Sequence, residues 1–145
     1  MSNLRFSVKA KSENSTKTVV EARNFKIIVD EPLNLGGTDA GANPVEYVLA
    51  ALAGCLNVVG HIVAKEMGFE IQGISIDIEG DLDPSKFMGQ KVDTRAGYNE
   101  IRVKMTADTD ADDATLSEWV KEVESRCPVS DNITNATSVK ISASR

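Results

Sequence analysis

The sequence is poor in the residues that most often announce a function. It has one histidine, His61, and two cysteines, Cys55 and Cys127. No multi-histidine metal site can form, the Cys and His separations match no zinc spacing, and no metal or other cofactor is expected. Two cysteines in 145 residues are also too few for a disulfide-stapled scaffold. Positive charge is scarce as well: 16 Lys plus Arg stand against 22 Asp plus Glu, a net charge of −6. That balance repels phosphate backbones and excludes nucleic acid as an expected partner. The opening MSNLRFSVKA lacks the apolar core of a signal peptide. The thiols are therefore expected to work free or redox-active in a reducing, cytoplasmic setting.

Long apolar runs are nearly absent too. The one exception, residues 47–64, holds 18 residues without a charge, near the lower length for a membrane span. It is rich in Ala and Gly, contains Asn57 and His61, and has no basic flanks. This composition fits a buried core helix, so no membrane partner is expected.

What is present is the alternation of an α+β chain of one domain, residues 1–145. Leu4, Phe6, Val8 and Ala10 alternate with polar residues; Val19 and Val20 mark a second run, and Phe25, Ile27 and Val29 a third. Polar turns at 12–15 and 23–24 make these a three-stranded meander. The loop DEPLNLGGTDAGANP, residues 30–44, leads to a helix. Asn43 is suited to cap it, Pro44 to its first position, and Glu46 to close a capping box; Gly68 suits its end. Apolar almost all round, this helix is expected to be buried on most sides.

Ile74, Ile76 and Ile78, then Ile101, Val103 and Met105, give two more strands around a polar loop at 81–97. A second helix carries Leu116, Trp119, Val120, Val123 and Cys127 at helical spacing, its start favoured by the acidic run 108–113 and its end set by Pro128. Val139 and Ile141 mark a last strand. The expected order is βββ-α-ββ-α-β.

By helical position alone Cys55 is a small apolar residue of the long helix, with Val48, Leu52, Val58, Val59 and Ile62 on its side. His61 lies about 120° away from it, so a Cys–His pair within the helix is disfavoured. His61 and Asn57 read instead as polar groups satisfied by a neighbouring element. Cys127 ends the apolar stripe of the second helix, and nothing in the spacing forbids its approach to Cys55.

GGTDAGANPVEYVLAALAGC, residues 36–55, followed by CPVS at 127–130, resembles the OsmC/Ohr family of osmotically inducible and organic hydroperoxide resistance proteins. The resemblance implies an OsmC-like α+β fold and an intertwined homodimer with active sites between subunits. The small-residue face of the central helix (Ala50, Ala53, Gly54, Gly60) is compatible with close helix approach. It further implies a thiol-dependent peroxidase in which Cys55 attacks an organic hydroperoxide and Cys127 resolves the sulfenic acid as a disulfide. A dithiol reductant, such as a lipoylated protein or thioredoxin, would restore both thiols.

Family peroxidases carry a Glu directly after the helix-starting Pro, paired with an Arg that activates the thiol. Val45 occupies that position here, and the acid follows at Glu46. Glu46 and Arg23 are the residues that would fill these roles, with Arg95 and Arg126 as further candidates for the cation. The competing reading is a non-catalytic OsmC-like dimer that responds to redox state or binds a small hydrophobic ligand. A hydrolytic enzyme has no positive feature, because His61 would have to serve two roles.

Overall fold

The computed structural model describes residues 1–145. They form two compact units, Met1–Val48 and Leu49–Arg145, with the boundary inside the long helix.

In the first unit, β1 (Lys9–Ser12), β2 (Thr18–Ala22) and β3 (Phe25–Val29) form an antiparallel sheet in the order β1-β2-β3. The first turn is built by Asn14, whose side-chain oxygen accepts the Thr16 and Lys17 N–H groups at 2.9 and 2.7 Å. Arg23 takes the left-handed conformation, φ 56°, in the second turn. The meander was expected to begin at Leu4, but β1 begins at Lys9. The register explains the difference: Lys9 pairs with Glu21 and Ala22 pairs with Phe25, so β2 turns away before it can face residues 1–7. Leu4, Phe6 and Val8 are consequently exposed.

The loop after β3 is folded around one carboxylate. Asp30 is fully buried, and its oxygens accept the N–H groups of Glu31 (2.8 Å), Thr38 (3.2 Å) and Ala40 (3.2 Å) and the Thr38 hydroxyl. These hydrogen bonds, led by the Thr38 hydroxyl, hold its pKa far below the usual carboxylate range. Gly37 is required here, since a Cβ would lie 1.8 Å from the Glu31 carbonyl oxygen. Helix α1 (Pro44–Met67) then starts as the capping box foretells. The Glu46 N–H donates to Asn43 Oδ1 at 2.9 Å, and the Asn43 N–H donates to Glu46 Oε2 at 2.8 Å. Tyr47 anchors the start of the helix by donating its hydroxyl to the Ile28 carbonyl at 2.6 Å.

In the second unit, β4 (Gly73–Leu82) and β5 (Tyr98–Asp108) pair antiparallel, with Ile76 opposite Met105 and Ile78 opposite Val103. The ladder extends through Asp81 and Leu82 with an irregularity between them, so the connecting loop is 83–97 rather than 81–97. Helix α2 (Asp113–Arg126) is capped by Asp112, which accepts the Thr115 N–H at 2.8 Å. The core joins Leu52, Leu56, Val59, Val63 and Ala64 of α1 to Trp119 and Val123 of α2 and to Cys127. The Trp119 indole donates to the Gly60 carbonyl at 2.8 Å. A Cβ on Gly60 would lie 2.9 Å from Ile74 Cδ1 and 3.1 Å from Trp119 Cζ2, so the close approach of helix and indole depends on this glycine.

Three further expectations are corrected. Helix α1 is long and apolar enough to cross a membrane by length and composition, yet it packs as a core helix along one stripe only, leaving Val48, Val58 and Ile62 exposed. Pro128 ends α2 and also opens a short helix α3 (Pro128–Thr134), because a proline is well suited to a first helical turn. Residues 136–145 form no strand, and Val139 and Ile141 are exposed; an isolated alternating segment has no ladder partner within its unit. The observed order is βββ-α-ββ-αα, still α+β.

Candidate active site: the paired thiols

The residue between α2 and α3 does three jobs through its backbone and side chain. The Cys127 N–H donates to the Val123 carbonyl at 3.1 Å, closing α2, and its carbonyl accepts the Asp131 N–H at 3.0 Å, opening α3. Its sulfur accepts the Ser130 N–H at 3.4 Å, as an N-cap side chain does. This pins the Cys127 side chain toward α1, where its sulfur lies 2.9 Å from Cys55 Sγ. Both cysteines are free thiols; Cys127 is 1% exposed and Cys55 is half-buried.

Helix geometry explains the asymmetry. The buried stripe of α1 centres near Leu56, about 100° around the axis from Cys55. Cys55 thus stands at the edge of the core, with exposed Val58 and Ile62 on its other side. Burial pushes the Cys55 thiol up, the hydrogen bond with Cys127 adds to this, and the Val129 N–H acts in the opposite direction. None of these causes is a cationic side chain.

Leu52 and Leu56 of α1, which flank Cys55 in the chain, with Ile101, Val103 and Met105 of β5 and Ile133 of α3, line part of an open groove of about 550 Å³ whose wall also carries Lys104 and Glu124 but neither cysteine. Ser130 and Thr134 bring polar atoms to its α3 side. This groove and the Val129 and Ser130 N–H groups were missed by sequence reasoning. The Cys-Pro dipeptide was the available signal, since a proline after a polar or thiol side chain marks a capped helix start as well as a stop.

The other expected site residues take structural partners. Glu46 is engaged in the capping box. Arg23 stacks its guanidinium over the Phe25 ring at 4.9 Å in the β2–β3 turn. Arg126 is held by Glu66 through both terminal nitrogens, with Glu122 nearby at 3.6 Å. Its hydrogen bonds keep the Glu66 carboxyl below the usual range. Arg95 is exposed in the 83–97 loop. His61 is exposed, and its Nδ1 lies 2.9 Å from the Asn57 backbone carbonyl, not against a neighbouring element.

An α+β chain carrying a long capped helix with a thiol at its edge, and a second thiol held against it from a distant helix end, defines a class of paired-thiol proteins. Residues 37–142 match the family described as OsmC-like protein, and the chain belongs to it. The OsmC-like protein of Mycoplasma pneumoniae has a similar structure, with TM-score 0.80 and 18% identity, covering 92% of this chain and 89% of that one. An organic hydroperoxide resistance protein OsmC from Legionella pneumophila aligns with TM-score 0.67 and 20% identity over 92% and 91% of the two chains. The organic hydroperoxide resistance protein OhrB of Bacillus subtilis aligns with TM-score 0.59 and 22% identity over 88% and 89%. At these identities the structures speak to the fold alone. No curated protein matches the chain.

Proposed function

We propose that the chain acts as one OsmC-like domain and is a thiol-dependent peroxidase of organic hydroperoxides, with Cys55 as nucleophile and Cys127 as the resolving thiol. The observation that carries this reading is the 2.9 Å approach of two free sulfurs 72 residues apart in sequence. A sulfenic acid formed on Cys55 would meet a thiol before a second oxidant, which keeps the oxidation reversible. Attack of the Cys55 thiolate on the peroxide O–O bond releases an alcohol. Condensation with Cys127 then releases water and forms the disulfide. The largely apolar groove reached through Leu52 and Leu56, neighbours of Cys55 on α1, suits the carbon body of an alkyl or aryl hydroperoxide better than hydrogen peroxide.

The nucleophile needs a cation, because a buried thiol with no positive neighbour stays protonated at neutral pH. A homodimer is part of the proposal. The exposed apolar residues Leu4, Phe6, Val139 and Ile141 near the chain ends support a self-association that would cover them. The reductant is a dithiol, such as a lipoylated protein or thioredoxin. Repeated hydroperoxide consumption with excess dihydrolipoamide, lost in Cys55→Ser, is the expected result; a single oxidation without turnover would refute the peroxidase.

One observation favours a second reading. The upward-shifted Cys55 thiol beside an open apolar groove is also what a redox-responsive or hydrophobic-ligand-binding dimer would present. In that case hydroperoxide is not turned over, while a small apolar ligand protects the exposed groove residues Val103 and Val120 from solvent.

A further inference from the structure

Resting on the peroxidase reading, the geometry of the pair also gives a direction to its second half-reaction. Once Cys55 and Cys127 are joined, an incoming thiolate can attack either sulfur, and the choice decides which cysteine carries the mixed disulfide. The two sulfurs are not equivalent. Cys127 is 1% exposed, enclosed in the cluster that holds Trp119 and Val123. Cys55 is half-buried at the edge of that cluster. Binding a second chain can only remove access, so a sulfur enclosed within one chain stays enclosed in any assembly that keeps this fold.

We propose that the external dithiol enters at Cys55 and that Cys127 is the leaving sulfur. A thiolate of the dithiol attacks Cys55 Sγ and forms a new S–S bond. The Cys55–Cys127 bond breaks, its electron pair departs with Cys127 Sγ, and Cys127 takes up a proton to regain the thiol seen in this structure. The second thiol of the reductant loses its proton, attacks the reductant sulfur bound to Cys55, and expels Cys55 as a thiolate. Two electrons pass from the dithiol, which leaves as its own disulfide. Leaving-group chemistry agrees with access. Cys127 Sγ already accepts the Ser130 N–H at 3.4 Å, a donor that remains available as charge develops on it.

The test oxidises the protein with diamide, so that it does not depend on peroxide chemistry. The disulfide form is treated briefly with excess glutathione, a monothiol, quenched in acid, alkylated and digested. The expected result is a glutathione mass shift on the Cys55 peptide with Cys127 alkylated as a free thiol. A shift on the Cys127 peptide, an even split, or no disulfide after diamide would each overturn the proposal. As a second measurement, reduced Cys127→Ser is expected to react with Ellman's reagent at least about tenfold faster than reduced Cys55→Ser until denaturant is added. Equal native rates would count against it, and the wild-type adduct decides the matter if either variant fails to fold. A Cys55 adduct without hydroperoxide turnover would remove the peroxidase and leave the direction of exchange standing.

Discussion

Residues 30–43 and the two chain ends all lack helix or strand over most of their length, but they lack it in different ways. The loop is filled with satisfied polar groups: Asp30 takes N–H donors from three residues and a hydroxyl from Thr38, and the loop finishes in a closed capping box. The ends carry the opposite chemistry. Phe6 is 87% exposed and Ile141 is 92% exposed, each in a segment of alternating apolar residues. A region can thus be irregular because local hydrogen bonds have already specified it, or because its alternating residues have no strand to pair with in their own unit. The first kind is specified by its own residues; in the proposed dimer, the second would be the surface that is covered.

The largest effect is expected from breaking the loop. Asp30→Ala would remove the one carboxylate that holds the Glu31, Thr38 and Ala40 N–H groups together, and should lower Tm by about 5 °C or more in a thermal melt. An unchanged Tm would mean that water replaces the carboxylate at no cost. Next come the ends: Phe6→Asp combined with Ile141→Asp should weaken self-association by about tenfold or more in sedimentation equilibrium, equivalent to about 1.4 kcal/mol. Far-UV circular dichroism should be retained. If association is unaffected, those segments do not form the dimer surface. A smaller loss of about 1 kcal/mol is expected for Asn43→Ala by urea titration, since it removes a single cap.

The pH dependence separates the same two regions. The folded-state pKa of Asp30 is depressed, so its stabilisation is complete above the unfolded carboxylate value of about 3.9 and declines as pH falls below it toward the lower folded value. Urea midpoints measured downward from pH 5 should therefore fall, and Asp30→Asn should flatten that acid limb. The charges substituted at the ends should leave the Asp30-dependent part of the slope in place.

The sequence made the loop and its helix legible because their chemistry is local. Asn43, Pro44 and Glu46 specify a helix start within four residues, and the structure places α1 at Pro44–Met67. Alternation likewise revealed β3, β4 and β5, and the short apolar run at Val19 and Val20 revealed β2, although pairing decided where each ended. The last strand failed at Val139 and Ile141 because alternation records which face wants burial, not what supplies the partner. Helix α3 was missed because Pro128 was read only as a stop. For the site, Cys55 and Cys127 were visible as a spaced pair, but their contact depends on the Cys127 cap of α3, which no periodicity encodes. Glu46 and Arg23 illustrate the reverse: the resemblance suggested catalytic roles, while their immediate partners, Asn43 and Phe25, are structural.

The central claim is that Cys55 and Cys127 form one redox couple driven by organic hydroperoxide. Its most direct test is the thiol state after one equivalent of cumene hydroperoxide, read by mass spectrometry of the two cysteine peptides. The account predicts a rapid intramolecular Cys55–Cys127 disulfide that is absent in Cys55→Ser. Two untouched thiols would contradict it and make the pair a packing contact of the core.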